Sequence, residues 1–161
     1  MDLAAEIRSA LGHDWLSSIY GNKVRSQRTR SVRLEITERE NDAEIQHTLL
    51  GIELRVGRRR FPCPDLAAAR YMRVFARIGC REFAIPYDIT RVSGTADELE
   101  TSWHRTLLLL SQAASERSSR STAQLRSKLI RTIREELKQI GPGDAMPAFD
   151  QRTRQKRFAN E

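Results

Sequence analysis

RVGRRRFPCPDLAAARYMRVFARIGCR, residues 55–81, contains a turn, a strand, a helix cap and a helix, and the rest of the chain can be placed from these. Gly57-Arg58 reverses the chain between extended segments ending at Val56 and running Arg59 to Cys63, which predicts a hairpin. Pro62 and Pro64 end the second strand, and Asp65 is placed to cap a helix over Leu66 to Ile78 by accepting one of its unpaired amide hydrogens. Gly79 ends that helix. At 100° per residue Tyr71, Val74, Phe75 and Ile78 gather on one side and are predicted to face a sheet.

The same stretch holds eight arginines, Arg55, Arg58, Arg59, Arg60, Arg70, Arg73, Arg77 and Arg81, against the single acid Asp65. Its net +7 equals the formal charge of the whole chain, so the remainder cancels, 20 basic residues against 20 acidic. The charge excess is therefore local. Arginine outnumbers lysine 24 to 4, and guanidinium forks pair bidentately with phosphates and carboxylates. Codon bias accounts equally well for that ratio, but it does not account for the clustering.

Upstream, Leu3, Ile7, Leu11, Trp15 and Ile19 recur at helical spacing, predicting a helix over Asp2 to Tyr20 that Gly12 bends and Gly21-Asn22 closes. Lys23 to Ser31, with Arg25, Arg28 and Arg30 and no acid, reads as a basic loop able to reach for phosphate. Val32, Leu34 and Ile36 alternate with polar residues as in a half-buried strand. Asn41-Asp42 supplies a turn, and Ile45 to Val56 reads as one long extended segment with Gly51 as a bulge.

Downstream, Glu82 to Ile89 alternates as a strand, with Pro86 marking an edge or an end. Thr95 and Glu98 have capping-box spacing ahead of a stripe through Leu99, Trp103, Leu107, Leu110 and Ala114. A second box at Ser121 and Gln124 opens a stripe through Leu125, Leu129, Ile133, Leu137 and Ile140, which Gly141-Pro142-Gly143 stops. Arg131, Arg134 and Lys138 are read as a solvated face opposite that stripe. The expected fold is α+β: an N-terminal helix, a small mainly antiparallel sheet with one inserted helix, and a C-terminal helical hairpin. One domain spans 1–141, and a basic tail, 142–161, is expected to be disordered.

No apolar run approaches the ~20 residues needed to cross a bilayer, and the opening residues lack the basic head and apolar core of a secretory signal. Cys63 and Cys80 are too few for a disulfide framework and fit a reducing compartment, so a cytoplasmic protein is expected. Two cysteines and the scattered His13, His47 and His104 lack zinc spacing or a local nucleophile–base pairing. No glycine loop suited to cradling a phosphate is present, so neither a metal nor a cofactor is expected.

Arg70, Arg73 and Arg77, spaced three and four apart, put like charges along one helical face, and each such pair costs a few tenths of a kcal/mol unless an anion lies nearby. Three anions fit: nucleic-acid phosphate, an acidic protein partner, or the chain's own acidic strip Glu35, Glu38, Glu40, Asp42 and Glu44. The function this predicts is non-catalytic binding of RNA or DNA by an accessory or regulatory protein. Phosphates would be contacted by Arg55, Arg58, Arg59, Arg60, Arg70, Arg73, Arg77 and Arg81, with Arg25, Arg28 and Arg30 as an arm. Phe61 is the best-placed aromatic for base stacking.

The alternative is an assembly or scaffold protein whose basic helix grips an acidic partner, and the apolar C-terminal hairpin allows a homodimer without requiring one. A metal-dependent nuclease is a minor alternative, because helix, three strands, helix, strand is also the order in the core of restriction-enzyme-like nucleases. Its acids would be Glu6, Glu53 and Asp88, but Glu53-Leu54-Arg55 has arginine where such sites need lysine.

Overall fold

The computed structural model describes residues 2–143. The expected basic tail lies outside the described residues from 144 onward. The N-terminal stripe folds as helix α1, Leu3–Leu11, a short 3-10 turn, Gly12–Asp14, and helix α2, Leu16–Ile19. Gly12 makes the bend with a φ of 56°. The chain does not stop at Gly21-Asn22. It continues through a wide π turn, Tyr20–Val24, because Val24 is buried in the core and draws the segment inward.

Strand β1, Thr29–Arg33, pairs antiparallel with β5, Glu82–Pro86, in the register Ser31↔Ala84. The expected basic loop thus contributes a strand at Thr29, and the expected strand from Val32 stops at Arg33. Residues 34–42 form an irregular strap. Leu34 and Ile36 of the strap are buried, and the Leu34 amide donates to the Arg81 carbonyl at 2.7 Å.

A three-stranded antiparallel meander follows: β2, Ala43–Thr48, β3, Gly51–Val56, and β4, Arg59–Cys63. The long extended segment expected from Ile45 to Val56 is therefore two strands, reversed at Leu49-Leu50. Those leucines lack ordinary turn chemistry and stand fully exposed, at 106% and 97%. Gly51, with a φ of 123°, and the Thr48 hydroxyl, which accepts from the Leu50 amide at 3.2 Å, make the reversal. The meander's inner face, with Ala43, Leu54 and Val56 buried, packs on helix α3, Leu66–Ile78.

α3 begins and ends at the predicted residues. Asp65 Oδ1 accepts from the Ala68 amide at 2.8 Å, and Gly79, with a φ of 84°, closes the helix with its amide on the Phe75 and Ala76 carbonyls. Its apolar side carries Tyr71, Val74, Phe75 and Ile78 into the core, where Phe75 stacks on Phe83 with ring centroids 4.2 Å apart. Each such ring removed from water contributes roughly 1.5–3 kcal/mol.

Helix α4, Ile89–Ala113, lies against α3, and helix α5, Ser119–Ile140, contacts α1, α2, α3 and β5. α4 starts six residues before Thr95. Asp88 caps it, accepting from the Thr90 amide at 3.0 Å and the Thr90 hydroxyl at 2.6 Å, and Thr95 bonds back to the Arg91 carbonyl inside the helix. α5 is capped by Ser118 instead of Ser121, whose amide donates to the Ser118 hydroxyl. The α+β class and the helix inserted between strands agree with the sequence. The strands form two separate antiparallel sheets, and no helix among the described residues is long and apolar enough to cross a membrane.

Candidate nucleic-acid interface

Two of the three like charges on α3, Arg70 and Arg73, are neutralised, and from an unexpected direction. Arg70 reaches Glu100 of α4 with Nε at 3.2 Å and Nη2 at 2.9 Å, and also pairs with Asp97. Arg73 Nη2 meets the same Glu100 carboxylate at 3.2 Å. These carboxylates hold the Arg70 guanidinium well above its ordinary pKa. Arg77 donates to the Ala43 carbonyl at 3.3 Å, and burial pushes its pKa down. This face therefore joins two helices and a strand; Arg70 and Arg73 are compensated by carboxylates, whereas Arg77 is held by a neutral carbonyl.

The acidic strip meets other cations. Glu40 takes a fork from Arg126 at 2.5–2.7 Å, Glu38 pairs with Lys138 at 2.6 Å, and Glu35 lies 3.9 Å from Arg59. Lys138 holds the Glu38 carboxyl below the usual carboxylate range. Sequence leaves this choice open because chain spacing does not say which face of α3 the strap or α4 will cover.

The hairpin arginines are in a different state. Arg55 and Arg60 are Cα partners across β3 and β4, so two like charges stand opposite each other on one sheet face, an arrangement that is destabilising without an anion. Glu44 is the β2 partner of Arg55, but no ion pair closes between them among the described residues. Arg55 Nε donates to the Gly57 carbonyl at 3.2 Å. Arg58 and Arg60 are exposed and make no hydrogen bond or ion pair with the described residues.

Arg58 and Arg59 line a groove of about 410 Å³ with Arg39 of the strap, and Arg59 lines a smaller one of about 190 Å³ with Arg33 and Arg81. Arg81 is anchored there by Nε on the Ile36 carbonyl at 2.6 Å. A further groove joins Arg33 and Arg81 to Lys138, and a cavity of about 520 Å³ lies between the strap and α5. Around these four hollows there are ten basic side chains and five acidic ones. The surface that surrounds the strap is net positive.

Arg25, Arg28 and Arg30 line none of these hollows. Arg25 bonds to Thr29 Oγ1 at 3.1 Å, Arg28 lies over the Tyr87 ring at 4.6 Å, and Arg30 sits in β1 opposite Ile85. Phe61 is half-buried against the core, and Tyr71, Phe75 and Phe83 are buried, so none of these rings stands free for stacking. Sequence reasoning did not single out Arg33, Arg39 or Arg120, and it put Arg131 and Arg134, which line the cavity beside α5, on a solvated face. Arg134 is 9% exposed, and its position four residues after Ile130 and one after Ile133 places it at the edge of the apolar stripe, a signal that was there to find.

The catalytic alternatives gain no geometry. Among the described residues no group of three His, Cys, Asp or Glu side chains could hold a metal ion, and Asp88 is engaged in capping α4. Burial raises the Cys63 thiol and pushes Cys80 up to about 11, both away from thiolate. No family model, curated protein or solved structure matches this chain.

Proposed function

We propose that this protein is a non-catalytic nucleic-acid-binding accessory or regulatory protein that contacts phosphates through the β3–β4 hairpin and the basic surface around the strap. The observation that carries this reading is the contrast between two sets of arginines. Arg70 and Arg73 are satisfied by Glu100, whereas Arg55 and Arg60 face each other across two strands and Arg58 occupies the turn beside them without an acidic partner among the described residues. A phosphate backbone supplies closely spaced negative charge, and arginine forks match its oxygens. Contacts of this kind position a protein and carry no base information directly. Arg70, Arg73 and Arg77 are scaffold in this reading.

The test is fluorescence anisotropy with labelled single- and double-stranded DNA and RNA at ~50 and ~200 mM salt. Wild type is compared with the Arg55/Arg58/Arg60 triple alanine variant. Salt-sensitive binding that the variant loses supports the reading, and absence of binding to all four probes overturns it. The second reading, an assembly protein that holds an acidic partner, is favoured by Leu49 and Leu50, whose full exposure at the β2–β3 turn is unusual for a pair of leucines. It predicts capture of an acidic protein and no salt-dependent affinity for nucleic acid.

A further inference from the structure

The cavity of about 520 Å³ between the strap and α5 lies within the ~300–1,000 Å³ typical of small-molecule sites. Its deepest cation is Arg134, whose Nε and Nη2 donate to the carbonyl of Ile78, the last residue of α3, at 3.1 and 2.9 Å. No carboxylate lies within ion-pairing distance of it among the described residues, and Nη1 has no acceptor there. A guanidinium this buried, held by one neutral oxygen, is costly unless a further anion compensates it.

Arg39, Arg120 and Arg131 line the same cavity and are likewise without an ion pair among the described residues. The two acids on its wall are committed elsewhere, Glu38 to Lys138 and Glu40 to Arg126. The site is also pre-shaped. Asn41 Nδ2 donates to the Thr37 and Arg39 carbonyls at 2.9 Å and to the Ala76 carbonyl at 3.2 Å, which fixes the strap and the Arg39 backbone on α3. Ile130 and Ala123 provide an apolar wall, with Gln124 and Ser127 beside it.

We infer that this cavity binds a nucleotide-sized organic phosphate, with its terminal phosphoryl group on Arg39, Arg131 and Arg134 and the uncharged part against Ile130 and Ala123. Such a group comes from a free nucleotide or from the 5′ end of a strand. The inference is independent of the hairpin reading, since no hairpin arginine lines this cavity.

Isothermal titration calorimetry at ~200 mM salt, where loose surface charge is screened, tests it with ATP and with one short oligonucleotide in 5′-phosphorylated and 5′-hydroxyl forms. The expected result is saturable one-site binding of at least one phosphorylated probe. It weakens at least tenfold in Arg39→Gln and in Arg131→Gln, both exposed positions, and persists in Arg117→Gln, which lies outside the cavity. Binding of ATP identifies the free nucleotide as a source. A tenfold preference for the 5′-phosphorylated oligonucleotide identifies the strand end. Arg134→Gln is expected to abolish binding, but because it also removes the bonds to Ile78, the Arg39 and Arg131 variants decide. Failure of every phosphorylated probe to bind, or unchanged affinity in Arg39→Gln and Arg131→Gln, overturns the inference.

Discussion

Arg70 holds Glu100 in a fork, Nε to one carboxylate oxygen at 3.2 Å and Nη2 to the other at 2.9 Å, and Arg73 shares that carboxylate. The Glu100 side chain is 17% exposed and the two arginines about a quarter. Replacing Glu100 with glutamine leaves the half-buried Arg73 without a counter-charge and Arg70 with only the more exposed Asp97. Urea unfolding is expected to show a loss of about 2 kcal/mol, below the figure for fully buried pairs because water still reaches this one. A double-mutant cycle of Arg70→Ala and Glu100→Ala is expected to give a coupling of about 1 kcal/mol. Zero coupling would mean that the Arg70–Glu100 pair adds nothing to the hold of α4 on α3.

The hairpin makes the opposite prediction. Arg58 and Arg60 are exposed and bonded to none of the described residues, so Arg58→Ala with Arg60→Ala is expected to cost no stability, and to raise the urea midpoint slightly as the Arg55–Arg60 repulsion is relieved, while nucleic-acid affinity falls. Taking away one arginine–phosphate pairing lowers the slope of log affinity against log salt by about 0.9 on duplex DNA and about 0.7 on a single strand. The double variant is expected to lower the slope by between one and two units, and an unchanged slope would place the phosphate-binding residues elsewhere.

These two predictions separate what the residues themselves disclosed from what only the fold could disclose. The cap at Asp65, the helix from Leu66 and the left-handed stop at Gly79 were legible because each depends on neighbours in the chain. The clash among Arg70, Arg73 and Arg77 was legible too, and it implied an anion correctly. Which anion was not legible, because Asp97 and Glu100 reach it only once α4 is laid across α3. Leu49-Leu50 hid a turn because Gly51 and the Thr48 side chain do the work usually done by the turn residues. Asp88 displaced the capping box at Thr95 because a helix begins at the first cap that its upstream residues can use. Arg134 was lost to a binary view of the helix, in which every arginine belongs to the wet side.

Alkaline pH should destabilise the protein in a defined window. Tyr71 donates its hydroxyl to the Ala84 carbonyl at 2.5 Å, and Tyr20 accepts from the Ala84 amide at 2.8 Å and donates to the Gly141 carbonyl at 2.5 Å. Burial pushes Tyr20 up to about 12 and Cys80 up to about 11, and raises Tyr71 well above its ordinary value. All three are neutral when protonated, so the folded state keeps protons that the unfolded chain releases. The contribution of these three groups is therefore level below about pH 8, and stability falls as pH rises from about 9 towards 12, by on the order of 1 kcal/mol per pH unit for each group still protonated only in the fold. Urea midpoints across that range, read beside tyrosinate absorbance, check it. Tyr20→Phe is expected to cost about 1–2 kcal/mol at neutral pH, through the Ala84 amide left without its acceptor, and to flatten the alkaline decline.

Gly79 ties the end of α3 to the strap. Its φ is +84°, and a Cβ there would lie 2.2 Å from the Arg39 carbonyl oxygen and 2.6 Å from the Arg39 nitrogen, both of them backbone atoms that cannot swing aside. Gly79→Ala thus adds a steric collision to the ~1–2 kcal/mol that a side chain costs in the left-handed region, and a loss of at least ~3 kcal/mol is expected. Gly94 provides the comparison. It lies within α4 with no positive φ, and beyond its chain neighbours and the backbone of its own helix nothing lies within 4 Å of where a Cβ would stand, so Gly94→Ala is expected to stabilise by about 0.5–1 kcal/mol. Thermal melts of the two variants should move in opposite directions from wild type. Because the collision falls on Arg39, any Gly79→Ala protein that still folds should also bind ATP or the 5′-phosphorylated oligonucleotide more weakly, whereas Gly94→Ala should not. A Gly79→Ala variant with wild-type stability would show that the strap can leave α3 freely, and the cavity it walls would then not be pre-shaped.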